Sequence, residues 1–127
     1  MKALATAIIG LVGITASTAA LGAETCDAVV AKRAWAKCSA CHTADPGAKS
    51  GLGPNLSGVI GRSAASFPGY KYSPAMQKSG LKWTRKNFEA FIAAPQSVVP
   101  GTRMAFAGLK TPADRTALSC ALQKGKP

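Results

Sequence analysis

Cys38-Ser-Ala-Cys41-His42 is the stretch on which the reading of this chain turns. It sets two thiols three positions apart, within one helical turn, and an imidazole directly after the second. That spacing suits one porphyrin. Each thiol can form a thioether to a haem vinyl group, and His42 then reaches the iron from the same side. Other uses of the residues ask for things the chain lacks. A dithiol redox pair wants a neighbouring βαβ pattern. A zinc site wants a second close ligand pair, whereas Cys26 and Cys120 stand alone. A plain disulfide would leave His42 without a role.

Outward from this run, the pattern is helical at both ends and irregular between. Thr25 can cap a first helix running to about Lys37, with Ala28, Ala31, Ala34 and Trp35 at helical spacing. From Thr43 to Ser73 the chain is rich in glycine and proline, without useful strand alternation, and reads as loops. Ser73-Pro74 opens a short helix that Gly80 ends. Thr84 caps another, whose Phe88, Phe91 and Ile92 form an apolar stripe until Pro95 stops it. Thr111-Pro-Ala-Asp114 opens the last helix with a cap, a proline at its first position and an acid in its first turn; Leu118, Ala121 and Leu122 supply its buried face, and Gly125 ends it. Four short helices with so few large apolar residues cannot organise the loops alone. A bound prosthetic group would supply the missing apolar volume.

The 127 residues suit one domain. Lys2, the apolar run through Ile14 and the small residues near Ala23 read as an export signal, residues 1–23, cleaved to leave a domain of residues 24–127. The apolar part is shorter than the ~20 residues of a spanning helix, so no stable membrane insertion is expected after cleavage. Loss of Lys2 takes the formal charge from +11 to +10. So basic a surface suits nucleic acid, anionic lipid or an acidic protein. Export makes nucleic acid the poorest of these, and it places the cysteines in a compartment that permits disulfides.

His42 is the only histidine, which excludes bis-histidine ligation within one molecule. Methionine sulfur is the other usual axial donor. Met1 leaves with the signal, so Met76 and Met104 remain. Met76 falls within the short Ser73–Ser79 helix, where core packing is the plainer role. Met104 lies in the loop Pro100-Gly-Thr-Arg-Met-Ala-Phe-Ala-Gly108, which can bring a thioether to iron without distorting a helix. Met104 is the expected ligand.

The segments Cys38–His42, Gly53-Pro-Asn-Leu56, Gly61-Arg62, Pro68-Gly-Tyr70, Trp83 and Pro100-Gly-Thr-Arg-Met104 together resemble the class I cytochromes c. The likeness is greatest to the mitochondrial cytochrome c and bacterial cytochrome c2 branch, and it spans essentially the whole mature chain. It implies an all-α fold of four to five short helices and loops wrapped around one covalently bound haem c, with an electron-carrier role and no enzymatic turnover. It assigns Cys38 and Cys41 to the thioethers, His42 and Met104 to the iron, and the Pro54 carbonyl to the second ring N–H of His42. Arg62, Tyr72 and Trp83 match positions that bind haem propionates, which need charge-assisted donors when buried. Thr102 matches a hydrogen-bonding position near the methionine loop. Met76 stands where this branch usually has asparagine and Phe91 where it usually has tyrosine, so two polar atoms are missing near the haem. Ala34 and Trp35 replace the usual aromatic placement on the first helix.

In the fold so implied, the first and last helices cross, which suggests a Cys26–Cys120 disulfide; two buried free thiols are the other reading. Lys37, Lys49, Lys71, Lys78, Arg103 and Lys110 would surround the haem opening and face acidic surfaces of redox complexes, whether oxidase, reductase, reaction centre or dehydrogenase. The expected protein is a monomeric, soluble, periplasmic carrier of one electron. Two rivals are a haem subunit dedicated to one dehydrogenase or oxidase, and a catalytic or gas-sensing haem protein, which would need an open sixth position.

Overall fold

The computed structural model describes residues 25–125 and 127; the expected leader, residues 1–23, lies outside them. Among the described residues five helices occur, in the order α1 (Ala28–Trp35), α2 (Pro74–Lys78), α3 (Arg85–Ala93), α4 (Pro95–Val98) and α5 (Pro112–Gln123). The fold is all-α. Among the described residues the extended chain pairs in a single antiparallel bridge, Ser63 with Lys82, and no helix is long and apolar enough to cross a membrane.

Local chemistry explains each helix end. Asp27, not Thr25, caps α1, and its carboxylate accepts the N–H of Val30. A carboxylate there satisfies an unpaired donor and complements the positive end of the helix dipole. The helix also ends at Trp35, two residues earlier than the sequence suggests. The turns that follow keep its sense: Ser39 N–H donates to the Trp35 carbonyl, and His42 N–H to that of Cys38. Ser73 caps α2 and Thr84 caps α3 through their side chains, as their sequences predict. Thr111 precedes α5 without a side-chain cap bond. Asp114, in the first turn and 3% exposed, puts a negative charge near that end, and its carboxylate pairs with Arg33 of α1. The short α4 is additional. Pro95 ends α3 because it has no N–H to give, and the same proline, with φ already helical, begins the next turn.

Packing follows from which faces are small. α1 crosses α5, and α3 lies against both α5 and α4. At the first crossing Ala31 meets Ala117 and Ala121, so the two backbones can approach closely. Cys26 and Cys120 meet at the same crossing, their Cα atoms 5.6 Å apart and 94 residues apart in sequence. The main core joins Ala34, Val59, Met76, Trp83, Phe88, Phe91, Ile92, Val99, Leu109, Leu118 and Leu122. Trp35, Cys38, Leu56, Tyr72 and Met104 pack against it. Helix and loop residues thus share one apolar body, and Cys38 and Met104 both border it.

The alanine crossing carries a prediction. Ala31→Leu overfills it and is expected to cost about 1–3 kcal/mol of stability. Val29→Leu, on the exposed side of the same helix, should stay within about 0.5 kcal/mol of the parent. Urea unfolding of the two variants is the measurement.

Candidate haem site

Cys38, Cys41 and His42 follow α1 in a run of turns in which the N–H groups of Cys41 and His42 both donate to the Cys38 carbonyl, so each lies about one turn from Cys38. Cys38 is half-buried and Cys41 exposed, and both thiols are free. Burial pushes the Cys38 thiol up to about 11; neighbouring Lys37 lowers it and Cys41 raises it further. A thiol so protonated is poorly suited to dithiol exchange, which needs a stabilised thiolate.

His42 is the most tightly determined residue of the site. Its Nδ1 lies 2.7 Å from the Pro54 carbonyl oxygen. Burial lowers its pKa, and the bond to Pro54 offsets this in part. The neutral ring therefore donates Nδ1–H to that carbonyl and keeps the Nε2 lone pair for a metal. Gly53 lies flat against the ring: a Cβ there would fall 2.2 Å from Cε1 of His42. Its N–H donates to the Cys41 carbonyl at 2.8 Å. Gly51 is confined likewise, since a Cβ would sit 2.8 Å from the Cys41 carbonyl oxygen. Neither glycine has a positive φ, so closeness rather than backbone conformation demands them.

Two further side chains hold this loop, and sequence reading gave neither a role. Asn55, completely buried, donates to the carbonyls of Asp45 and Ala48 and accepts the N–H of Ser57. Tyr70 donates its hydroxyl to the Leu52 carbonyl at 2.8 Å. The spacing of Gly51 and Gly53 just after a ligand run could have signalled a close approach. Nothing in the sequence pointed to Asn55 or Tyr70 as loop clamps.

Of the residues expected to meet the propionates, Arg62 lies beside both Trp83 and Tyr72. The Trp83 N–H donates to the Arg62 carbonyl, and the Trp83 carbonyl accepts from Gly61. The Arg62 guanidinium donates to the carbonyls of Ser57 and Asn55 and lies 5.0 Å from the centre of the Phe67 ring. Burial lowers its pKa while Tyr72 works the other way; burial raises the Tyr72 phenol, against the pull of Phe67 and Arg62. The described partners of Arg62 are neutral, and a desolvated guanidinium favours an anion. The Trp83 ring packs against Phe91, 5.1 Å between centres.

Met104 is half-buried in its loop, whereas Met76 is 6% exposed in the core. Buried Thr102 places its Oγ1 3.4 Å from the Met104 N–H. Of the six proposed docking residues, all are exposed, but two also serve the fold. Lys37 Nζ lies 3.9 Å from Asp114, and Lys110 donates to the Ala93 carbonyl at the end of α3. Arg103 reaches the Lys71 carbonyl at 3.5 Å.

The donor set fits one haem. Two free thiols on one turn precede an imidazole with Nε2 available, glycine clears its face, and a desolvated guanidinium suits a propionate. Helices and loops around such a set define a protein built to carry one covalent porphyrin. No protein-family model matches the chain. It is 41% identical over 116 residues to cytochrome c2 of Rhodomicrobium vannielii, spanning 91% of this chain and 90% of that one. It is 49% identical over 84 residues to cytochrome c2 of Rhodoblastus acidophilus, 66% of this chain and 78% of that one. Among solved structures, cytochrome cH from Methylobacterium extorquens matches with a TM-score of 0.72 at 37% identity, covering 77% of this chain and 98% of that one. The chain belongs to the class I cytochromes c, in the cytochrome c2 family. Membership brings one covalent haem c, and electron transfer rather than enzymatic turnover.

Gly53 yields the sharpest test of this geometry. Gly53→Ala should cost about 1–3 kcal/mol in denaturant unfolding and displace the His42 ring resonances in NMR spectra. At Gly58 an added Cβ meets open space and only the φ of +61° opposes it, so Gly58→Ala should cost about 1–2 kcal/mol yet leave those resonances in place.

Proposed function

We propose that this protein is a soluble, monomeric, one-electron carrier of the bacterial periplasm, exported by a leader of residues 1–23 and working as the domain of residues 24–127. The carrying observation is the His42 ring, held by Pro54 and flattened against Gly53 so that only Nε2 is left to bind iron. Cys38 and Cys41 would hold the haem through thioethers, and His42 Nε2 and the Met104 sulfur would hold its iron. When bound, the haem supplies a ferrous–ferric couple. With His42 and Met104 both committed to the iron, no site would be left for a substrate, and the residues would hold the cofactor, exclude water and leave its edge open to a partner. Arg62, Tyr72 and Trp83 offer donors to the propionates, and Thr102 supports the methionine loop.

The sixth ligand is tested directly by Met104→Ala. The parent ferric protein should show a long-wavelength sulfur-to-iron absorption band and bind no carbon monoxide when reduced. The variant should lose the band and bind carbon monoxide. A variant that keeps the band would assign the sulfur elsewhere, with Met76 the remaining candidate.

Docking rests on charge. At +10 after export, the surface, including Lys37, Lys49, Lys71, Lys78, Arg103 and Lys110, steers toward acidic faces of redox complexes such as an oxidase, reductase, reaction centre or dehydrogenase. Electron transfer to an acidic partner should slow steeply as ionic strength rises. A flat response would favour apolar docking and a subunit held by one dedicated enzyme.

In that compartment Cys26 and Cys120 form a disulfide, supported by their 5.6 Å Cα separation and worth about 2–4 kcal/mol through restriction of the unfolded chain. The denatured, unreduced holoprotein should then show no titratable thiol, because the remaining two cysteines are thioethers. Two titratable thiols would show Cys26 and Cys120 to be unbridged.

A further inference from the structure

We propose that Gln96 is a positioning residue for the Met104 ligand, its side-chain amide locking the turn from which the methionine loop departs. The inference rests on Met104 ligation and concerns what keeps that ligand in place. Val99-Pro-Gly-Thr102 is a tight turn: the Thr102 N–H donates to the Val99 carbonyl at 3.0 Å, proline fills the second position, and Gly101 takes a φ of +86° at the third. Gln96, one turn earlier in α4, grips the middle of it from outside. Its Nε2 donates to the Thr102 carbonyl at 2.8 Å, and its Oε1 accepts the Gly101 N–H at 3.2 Å.

Both ends of one amide, a donor and an acceptor held in one plane, are thus engaged by two adjacent residues. The bracket ties the turn to α4, which is itself anchored by buried Pro95. Met104 lies two residues beyond Thr102, and Thr102 Oγ1 approaches its N–H at only 3.4 Å. A turn held at both its N–H and its carbonyl restricts where the Met104 sulfur can travel. Without the bracket, the population with sulfur displaced rises, and a foreign ligand binds that population in proportion.

Imidazole binding to the ferric holoprotein reads this directly, through loss of the sulfur-to-iron band. Gln96→Ala should bind imidazole about tenfold more tightly than the parent, the effect expected of two lost hydrogen bonds. Gln96→Glu, which keeps the acceptor and loses the donor, should fall between them. Ser97→Ala, on the exposed neighbour, should match the parent. Amide exchange at Gly101 should quicken in Gln96→Ala. Equal imidazole affinities in the parent and Gln96→Ala, or an equal rise in Ser97→Ala, would overturn the proposal while leaving Met104 as ligand. Absence of the band from the parent would remove Met104 ligation itself, and this inference with it.

Discussion

A single hydrogen bond, from Nδ1 of His42 to the carbonyl of Pro54, sets the terms for everything around it. It fixes the tautomer, so that Nε2 alone can meet a metal, and it fixes the plane of the ring. It also requires that the loop carrying Pro54 lie against the turn carrying His42. That closeness explains residues with no chemistry of their own. Gly51 and Gly53 are glycines because a Cβ at either would strike the Cys41 carbonyl or the imidazole. Asn55 and Tyr70 hold the loop there by bonding its own carbonyls and those of neighbouring segments.

The helices form the frame for this contact. α1 ends just before the cysteines, so its orientation sets theirs, and α5 fixes α1 through the alanine crossing and the Arg33–Asp114 pair. Further along the chain, α3 and α4 lead to the turn at Pro100-Gly101 and so to Met104. The missing polar atoms noted in the sequence have structural counterparts. Met76 and Phe91 are both buried in the apolar core, and Phe91 spends its face on Trp83 rather than on a hydroxyl contact. Met104 packs against the same apolar core that holds Met76 and Phe91, so neither of these two offers it a polar atom.

Much of this was legible in the sequence because the signals were local. Ser73-Pro74 and Thr84 announce helix starts by side-chain capping, and the structure has them. Cys38–His42 carries its chemistry in five consecutive residues. The misreadings arose where two local signals competed. Thr25 and Asp27 could both cap α1, and the carboxylate prevailed because charge adds to hydrogen bonding at that end. Pro95 was legible as a stop but not also as a start, although proline does both. The roles of Gln96, Asn55 and Tyr70 were not legible because their partners are backbone groups of distant or turn residues, and no residue pattern encodes a carbonyl's position.

The most direct test of the whole account is the intact mass of the mature protein, denatured and freed of everything not covalently attached. The account predicts a chain heavier by one haem, with both Cys38 and Cys41 in the modified peptide. A chain at its bare polypeptide mass after proper maturation would contradict it, since His42 would then stand ready for an iron that nothing holds in place.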